Sequence, residues 1–215
     1  MKKTNYNNVF REGNDYYTKS LIKPAKSVYG EKIIGEYREW VGKRSKLGAA
    51  LHKNLRTFAF KKESTVLYLG ASSGTTCSHL SDIVVNGMIF GVDLAPRIFY
   101  KFIELSKERK NLFPILADAN RMEEYEFIPK CDVIFQDIAQ KDQVRIFINN
   151  CEKFLKNDGI AYLSVKSRSI DVTKKPMHIF EAVKNKLKEK FIIIEERGLQ
   201  PYEKDHELFV VKKKN

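Results

Sequence analysis

The run Val66-Leu67-Tyr68-Leu69-Gly70-Ala71-Ser72-Ser73-Gly74-Thr75-Thr76 passes from four apolar residues, through a turn of small residues, into the start of a helical stretch. A short apolar strand without polar alternation is buried on both faces, as strands of a parallel sheet are. The same pattern recurs downstream. Met88–Val92 reads as a second strand, followed by a helix from Pro96 through Glu108 whose proline suits a first turn. Phe113–Leu116 and Asp132–Phe135 read as a third and a fourth strand. Val144, Phe147, Ile148, Cys151, Phe154 and Leu155 keep the i, i+3, i+4, i+7 spacing of an amphipathic helix, which Asn157-Asp158-Gly159 should stop. Ile160–Val165 is a fifth strand, Pro176–Lys188 a helix, and Phe191–Ile194 and Leu208–Val211 are two closing strands. No helix separates the closing pair, so one of them is expected to run antiparallel. The fold class is α/β: a doubly wound, seven-stranded sheet with helices on both faces.

Upstream the pattern changes. Residues 1–50 lack a helical period; short runs such as Val9-Phe10, Tyr16-Tyr17, Leu21-Ile22 and Ile33-Ile34 are punctuated by Gly13-Asn14-Asp15, Pro24 and Gly30. Aromatic-rich runs between turn signals predict a small β module. The expected division is a β-rich domain over residues 1–52 and a larger domain over residues 53–215. Of the 215 residues, 43% are hydrophobic, enough for a packed core. No apolar run nears the ~20 residues of a membrane-spanning helix. No apolar stretch follows Lys2 and Lys3, so no signal peptide is expected. Cys77, Cys131 and Cys151 are odd in number and lie in apolar surroundings, which reads as reduced core thiols in a cytoplasmic protein. The net charge is +12, and residues 1–60 carry 13 Lys and Arg against five acids. Such a basic segment attracts phosphate backbones; it would equally serve as a plain solvated face.

Ligands of an open parallel sheet bind beyond the C-terminal ends of its strands. After the first strand stands the Gly70–Thr76 loop, where glycines let backbone N–H groups approach a ligand at a helix N-terminus. Its Gly-x-x-x-Gly spacing is neither the dinucleotide fingerprint nor a phosphate loop. After the second strand stands Asp93, followed by Leu94; its carboxylate can accept from both hydroxyls of a ribose or can cap the helix at Pro96. After the third come Asp118 and Ala119, an acid that can meet an adenine amino group or act as a turn residue. After the fourth comes Asp137 and after the fifth Lys166. Adjacent strand ends put these two a few ångströms apart. A carboxylate and an ammonium there suit an alcohol nucleophile, or form an ordinary interstrand ion pair. Lys46 and His206 carry no signal by themselves.

Several stretches resemble the fibrillarin family. They include Val28-Tyr29-Gly30-Glu31, Tyr37-Arg38-Glu39-Trp40, Arg44-Ser45-Lys46-Leu47-Gly48-Ala49-Ala50 and the Val66–Thr76 run itself. Ser78-His79-Leu80-Ser81-Asp82-Ile83-Val84, Asp137-Ile138-Ala139-Gln140, Arg168-Ser169-Ile170-Asp171 and Pro201-Tyr202-Glu203-Lys204-Asp205-His206 follow in the family's order. The resemblance implies a Rossmann-like methyltransferase sheet with a small N-terminal β domain. It implies methyl transfer from S-adenosylmethionine to ribose 2′-hydroxyls of ribosomal and transfer RNA, with no metal. It places the family's catalytic set on Lys46, Asp137, Lys166 and His206. It places the cofactor on Gly70, Ala71, Ser72, Ser73, Gly74, Thr75 and Thr76, on Asp93 with Leu94, on Asp118 with Ala119, and on Asp137 and Gln140. The family often has Glu where Asp93 stands, so the ribose contact is expected to be longer or water-bridged. Gly48 replaces a more usual Ala.

The resemblance also implies partners: a box C/D guide RNA that pairs with the target rRNA or tRNA, a Nop-family scaffold protein and a kink-turn-binding subunit like a ribosomal protein. No membrane is involved. A Gly/Arg-rich tail is missing, which points to the archaeal, cytoplasmic form. Which of Asp137 and Lys166 is the base stays open. Two rival functions are a small-molecule methyltransferase, which leaves the basic N-terminal segment unexplained, and a cofactor-binding scaffold without turnover, which leaves Asp137 and Lys166 unexplained.

Overall fold

The computed structural model describes residues 1–214. Five short strands open the chain: β1 (Lys2–Lys3), β2 (Val9–Glu12), β3 (Asp15–Lys19), β4 (Ile33–Ile34) and β5 (Tyr37–Glu39). They form an antiparallel sheet in the order β1-β2-β3-β5-β4. A 3₁₀ turn over Gly42–Arg44 leads into α1 (Lys46–His52). Then strands and helices alternate: β6 (Thr65–Leu69), α2 (Thr75–Ile83), β7 (Met88–Asp93), α3 (Pro96–Glu108), β8 (Leu112–Leu116), β9 (Cys131–Gln136) and α4 (Gln143–Phe154). The chain closes with β10 (Leu155–Lys166), α5 (Ser167–Ile170), α6 (Pro176–Lys190), β11 (Phe191–Gly198) and β12 (His206–Lys213).

The large sheet has seven strands in the order β11-β12-β10-β9-β6-β7-β8. β12 runs antiparallel to both its neighbours, and the strands from β10 to β8 pair in parallel. Side chains alternate across the sheet as the strand period requires. Val66, Tyr68, Val133, Phe135 and Tyr162 point into the core shared with α1, α2, α3 and the N-terminal sheet. Leu67, Leu69, Ile134, Ala161 and Leu163 point into the core under α4 and α6. The small sheet thus shares one core with the large one. Among the described residues no helix is long and apolar enough to cross a membrane.

The junction of α4 and β10 differs from the sequence reading. Leu155 is the first residue of the strand, not the last of the helix, and pairs with Cys131. Its side chain is buried, and a register shift before Ile160 absorbs Asn157-Asp158-Gly159 into the strand as an irregularity. A Leu satisfies a helical face and a strand face equally, so spacing cannot separate the two. The closing hairpin is also longer than its apolar runs, because Glu195–Gly198 and His206–Glu207 extend the ladder on polar residues.

The two sheets meet through buried charge. Asp82 near the end of α2 accepts from Arg38 (2.7 Å), Arg109 (2.6 Å), the Thr18 hydroxyl (2.8 Å) and the Leu21 N–H (2.8 Å). Arg38 also pairs with Glu31 at 2.7 Å. Two cations and two anions close into a neutral cluster whose side chains are at most 2% exposed. Removing one member of such a cluster leaves uncompensated buried charge. We expect Asp82→Ala to lower unfolding free energy by about 3–5 kcal/mol, measured by urea denaturation. A loss below about 1 kcal/mol, the scale of an exposed pair, would contradict this role.

Candidate active site

Sheet order reverses between β6 and β9, and ligands of doubly wound sheets sit at such a switch point. The chain ends there in a tight construction. Gly70 follows β6 with φ +91°, and a Cβ at Gly70 would lie 2.2 Å from the Asp137 carbonyl oxygen beyond β9. Only glycine lets these strand ends approach so closely. Gly74 holds φ +84° at the N-cap of α2, where a Cβ would strike Phe102 at 2.6 Å.

Above this floor lies a cleft of about 210 Å3, lined by Gly70, Ser72, Val92, Asp93, Leu94, Ala117, Ala119, Asp137, Ile138, Ala139 and Gln140. Of the expected cofactor residues, Ala71, Ser73, Gly74, Thr75, Thr76 and Asp118 shape the loops behind it. Asp93 Oδ2 accepts from Ser72 N–H (2.7 Å) and Oδ1 from Ala95 N–H (2.9 Å). Ala95, not Asp93, occupies the N-cap of α3, and no side chain caps that helix. Each carboxylate oxygen retains a lone pair for a further donor. Asp118 Oδ1 accepts from Asn120 N–H at 2.9 Å, tightening a turn. Asn120 Nδ2 then donates to Gln140 Oε1 at 3.2 Å, closing the far wall.

Asp137 sits at the other end of the cleft. Its carboxyl opens to the cleft through 26% of its side-chain surface and is enclosed by protein elsewhere. Burial pushes its pKa above the ordinary carboxylate range. Lys46, His206 and the Ser164 hydroxyl pull it down, the neighbouring Glu203 pushes it further up, and burial prevails. Ser164 faces the carboxyl from β10 but closes no hydrogen bond of standard geometry.

Lys46 reaches this point because α1 is pinned. Ser45, its N-cap, accepts from Gly48 N–H (3.1 Å) and from Trp40 Nε1 (3.0 Å) and shares a hydrogen bond with the Thr76 hydroxyl (3.0 Å). One hydroxyl therefore joins α1, the N-terminal sheet and the start of α2. Lys46 Nζ lies 3.9 Å from Asp137 and 2.9 Å from Glu203.

The expected Asp137–Lys166 pair is not a contact. β10 pairs Leu163 with Gln136, so Ser164 stands level with Asp137. Lys166 lies two residues on, roughly 6–7 Å farther along the strand on the same face. Its side chain is exposed, and the ammonium within 4 Å of Asp137 is that of Lys46. Lys166 is instead the register partner of His206 across β10 and β12. His206 Nδ1 donates to the Lys204 carbonyl at 2.7 Å, which leaves Nε2 as the free ring nitrogen. The Lys166 backbone is held by Gln143, whose Oε1 accepts its N–H (3.3 Å) and whose Nε2 donates to the Gln140 carbonyl (2.8 Å). Sequence reasoning missed Gln143, Ser164 and Glu203. Gln143 and Ser164 look like ordinary helix and strand residues, and only the Pro201–His206 motif marked Glu203 at all.

The family model described as fibrillarin matches residues 1–215. The chain is 50% identical over 202 residues to a fibrillarin-like rRNA/tRNA 2′-O-methyltransferase of Pyrococcus horikoshii, covering 91% of this chain and 88% of that one. It superposes on a chain of a solved fibrillarin/Nop5p complex with a TM-score of 0.93 at 42% identity, covering 98% of this chain and 100% of that one. It also superposes on Aeropyrum pernix fibrillarin, solved with natively bound S-adenosyl-L-methionine, with a TM-score of 0.88 at 35% identity, covering 98% and 96%.

The raised pKa of Asp137 has a consequence for stability. The folded chain holds the Asp137 proton more tightly than the unfolded chain does. Its contribution to stability therefore falls as pH rises from the ordinary carboxylate value of 3.8 through the raised folded value, and is constant above it. Lys46 keeps Glu203 as a partner if Asp137 is neutralised. We expect Asp137→Asn to be at least as stable as the wild type at pH 7, with the advantage vanishing near pH 3 or below. Thermal unfolding at both pH values checks this; a variant less stable at pH 7 would show that the charged carboxylate supports the fold.

Proposed function

The chain belongs to the fibrillarin family, and from that premise we propose that it transfers a methyl group from S-adenosylmethionine to ribose 2′-hydroxyls of ribosomal or transfer RNA. The carrying observation is the carboxyl of Asp137 at the end of a nucleoside-sized cleft, beside Lys46 and next to strand ends bearing Lys166 and His206.

The residues present fit the cofactor. Asp93 has acceptor capacity for ribose hydroxyls, and Leu94, Ala117, Ala119 and Ile138 make an apolar slot for a planar base. Asp137 places a carboxylate at the end where a cationic sulfonium would stand. When bound, S-adenosylmethionine supplies an electrophilic methyl on sulfur.

Asp137 orients the ribose 2′-hydroxyl by accepting its hydrogen bond. As the ribose oxygen forms its bond to the methyl carbon and the carbon–sulfur bond breaks, the hydroxyl proton passes to the Asp137 carboxylate, later to be lost to water. A carboxylate whose pKa lies above the usual range is a better acceptor for that proton than an ordinary one. The Lys166 ammonium, on a long exposed side chain, offsets negative charge developing on the oxygen or on an adjacent phosphate. His206 and Lys46 frame the site from either side.

We assign the remaining partners on the same footing. A scaffold of the Nop family is supported by the relative crystallised with Nop5p. RNA is supported by charge: beside Ser73 a groove of about 560 Å3 carries Lys26, Arg44 and Lys101 against one acid, Glu108, which pairs with Lys26 at 3.0 Å. The sequence carries no base-reading motif, so target choice is assigned to a box C/D guide RNA, with a kink-turn-binding subunit nucleating the assembly in the cytoplasm.

Reconstitution with labelled cofactor tests the reading. Guide RNA, scaffold and kink-turn protein should together be needed for methylation at one defined ribose. Within that assembly Asp137→Ala or Lys166→Ala should lower turnover by about a hundredfold. Asp93→Ala should weaken cofactor binding by about 1–3 kcal/mol in calorimetry. Site-specific methylation by the chain alone, or near-normal turnover in both lysine and aspartate variants, would refute it.

A further inference from the structure

Lys46 has two carboxylates within reach and is shared unequally. Its Nζ stands 2.9 Å from Glu203 and 3.9 Å from Asp137. The closer contact is a charge-assisted hydrogen bond, and the farther one is not. Glu203 is itself rigidly placed. Its N–H and that of Tyr202 both donate to the Leu199 carbonyl at 3.0 Å, turning the loop between β11 and β12. The Tyr202 ring packs on His52 of α1 with centroids 4.8 Å apart, and fills the space where Gly42 lacks a side chain. The loop is thus locked onto the helix that carries Lys46.

We propose that Glu203 is a positioning residue for the transfer: it anchors Lys46 at 2.9 Å and keeps that ammonium from closing onto Asp137. The inference rests on the reading of Asp137 as the group that meets the ribose hydroxyl. An ammonium in hydrogen-bond contact would compete with the hydroxyl for the carboxylate oxygens and would weaken the carboxylate as a proton acceptor. Anchored on Glu203, Lys46 supplies positive charge to the site without occupying Asp137. Glu203 adds a second effect through its own negative charge, which raises the proton affinity of Asp137. The groups facing Asp137 are Lys46 from α1, Glu203 from the loop, His206 from β12, Ser164 from β10 and the buried phenol of Tyr68 from β6. Of these, Glu203 is the one anion that also holds a cation of the set.

The test uses Glu203→Gln, which keeps an oxygen for Lys46 and removes the charge, and Glu203→Asp, which keeps the charge. The Asp137 carboxyl is titrated directly by carbon-13 NMR in the full chain, with Asp137→Asn assigning the signal. The pH profile of turnover is then recorded in the reconstituted assembly. Glu203→Gln should lower the Asp137 midpoint by about one pH unit, the low end of what a neighbouring charge does. It should move the acid limb of turnover by the same amount and reduce the plateau, and Glu203→Asp should return both toward wild type. An unmoved midpoint overturns the proposal, as does a moved midpoint with an unmoved acid limb. A wild-type assembly that transfers no methyl group at all would instead refute the proposed function, while the midpoint shift would still report on Glu203.

Discussion

Asp82 is a fully buried carboxylate shared by two buried guanidinium groups, and the placement of the site descends from it. Burial opposes every charge in this cluster, so the charges persist only by satisfying one another. Arg109 feels this in a lowered pKa, from burial and the nearby Arg38 against the attraction of Asp82. Burial also pushes the Glu31 carboxyl up, but backbone N–H groups of Tyr29 and Val28 and the charge of Arg38 hold it below the ordinary range. His79 is kept neutral by burial and by both arginines. Thr18 spends its proton on Asp82, so neutral His79 donates from Nδ1 to Thr18, while the single Tyr29 proton is shared between Nε2 (2.7 Å) and the Glu39 carbonyl (3.0 Å), and the ring stacks on Trp40 at 4.8 Å. The cluster therefore admits one docking of the N-terminal sheet on α2. The same helix begins at the Gly70–Thr76 loop, and its Thr76 bonds the Ser45 cap that aims Lys46. A change at Asp82 reaches Lys46 and Asp137 through these elements.

Much of this was legible in the sequence, and the limits have physical causes. Continuous apolar runs at Val66–Leu69 and Asp132–Phe135 signalled buried parallel strands, and strand ends located Asp93 and Asp137. Spacing could not place Leu155, because a strand that starts directly at a helix end uses the same apolar residue. Lys46, 91 positions before Asp137, owes its role to a hydroxyl cap and a hairpin loop that meet only in the folded chain. Ser164 lies inside an apolar run and reads as a strand residue; its value is its level with Asp137. Lys166 stands on the expected strand end but two residues beyond the level of Asp137, because β10 runs on past the end of β9.

The site also shows where the fold tolerates cost. Ser164 Oγ, facing Asp137, and Gln136 Oε1, on the opposite face of β9 toward α4, are buried and lack partners among the described residues, as does Asn7 Nδ2 between β1 and β2. Asp137 itself is destabilised in its charged form. Unsatisfied polar groups carry a penalty of about 1–3 kcal/mol each when nothing pairs with them. Of the three, only the Ser164 hydroxyl faces Asp137.

In the proposed reaction the cleft seats S-adenosylmethionine with its sulfonium against Asp137. Calorimetric binding in buffers of different ionisation enthalpy measures it directly, because a cation arriving beside a carboxyl of raised pKa expels its proton. Binding of S-adenosylmethionine should release a proton in the acid range, little at pH 8, and much less should be released for the uncharged thioether S-adenosylhomocysteine. Asp137→Asn should abolish the difference between the two ligands. Equal proton release for both, or a difference that survives in Asp137→Asn, would contradict it.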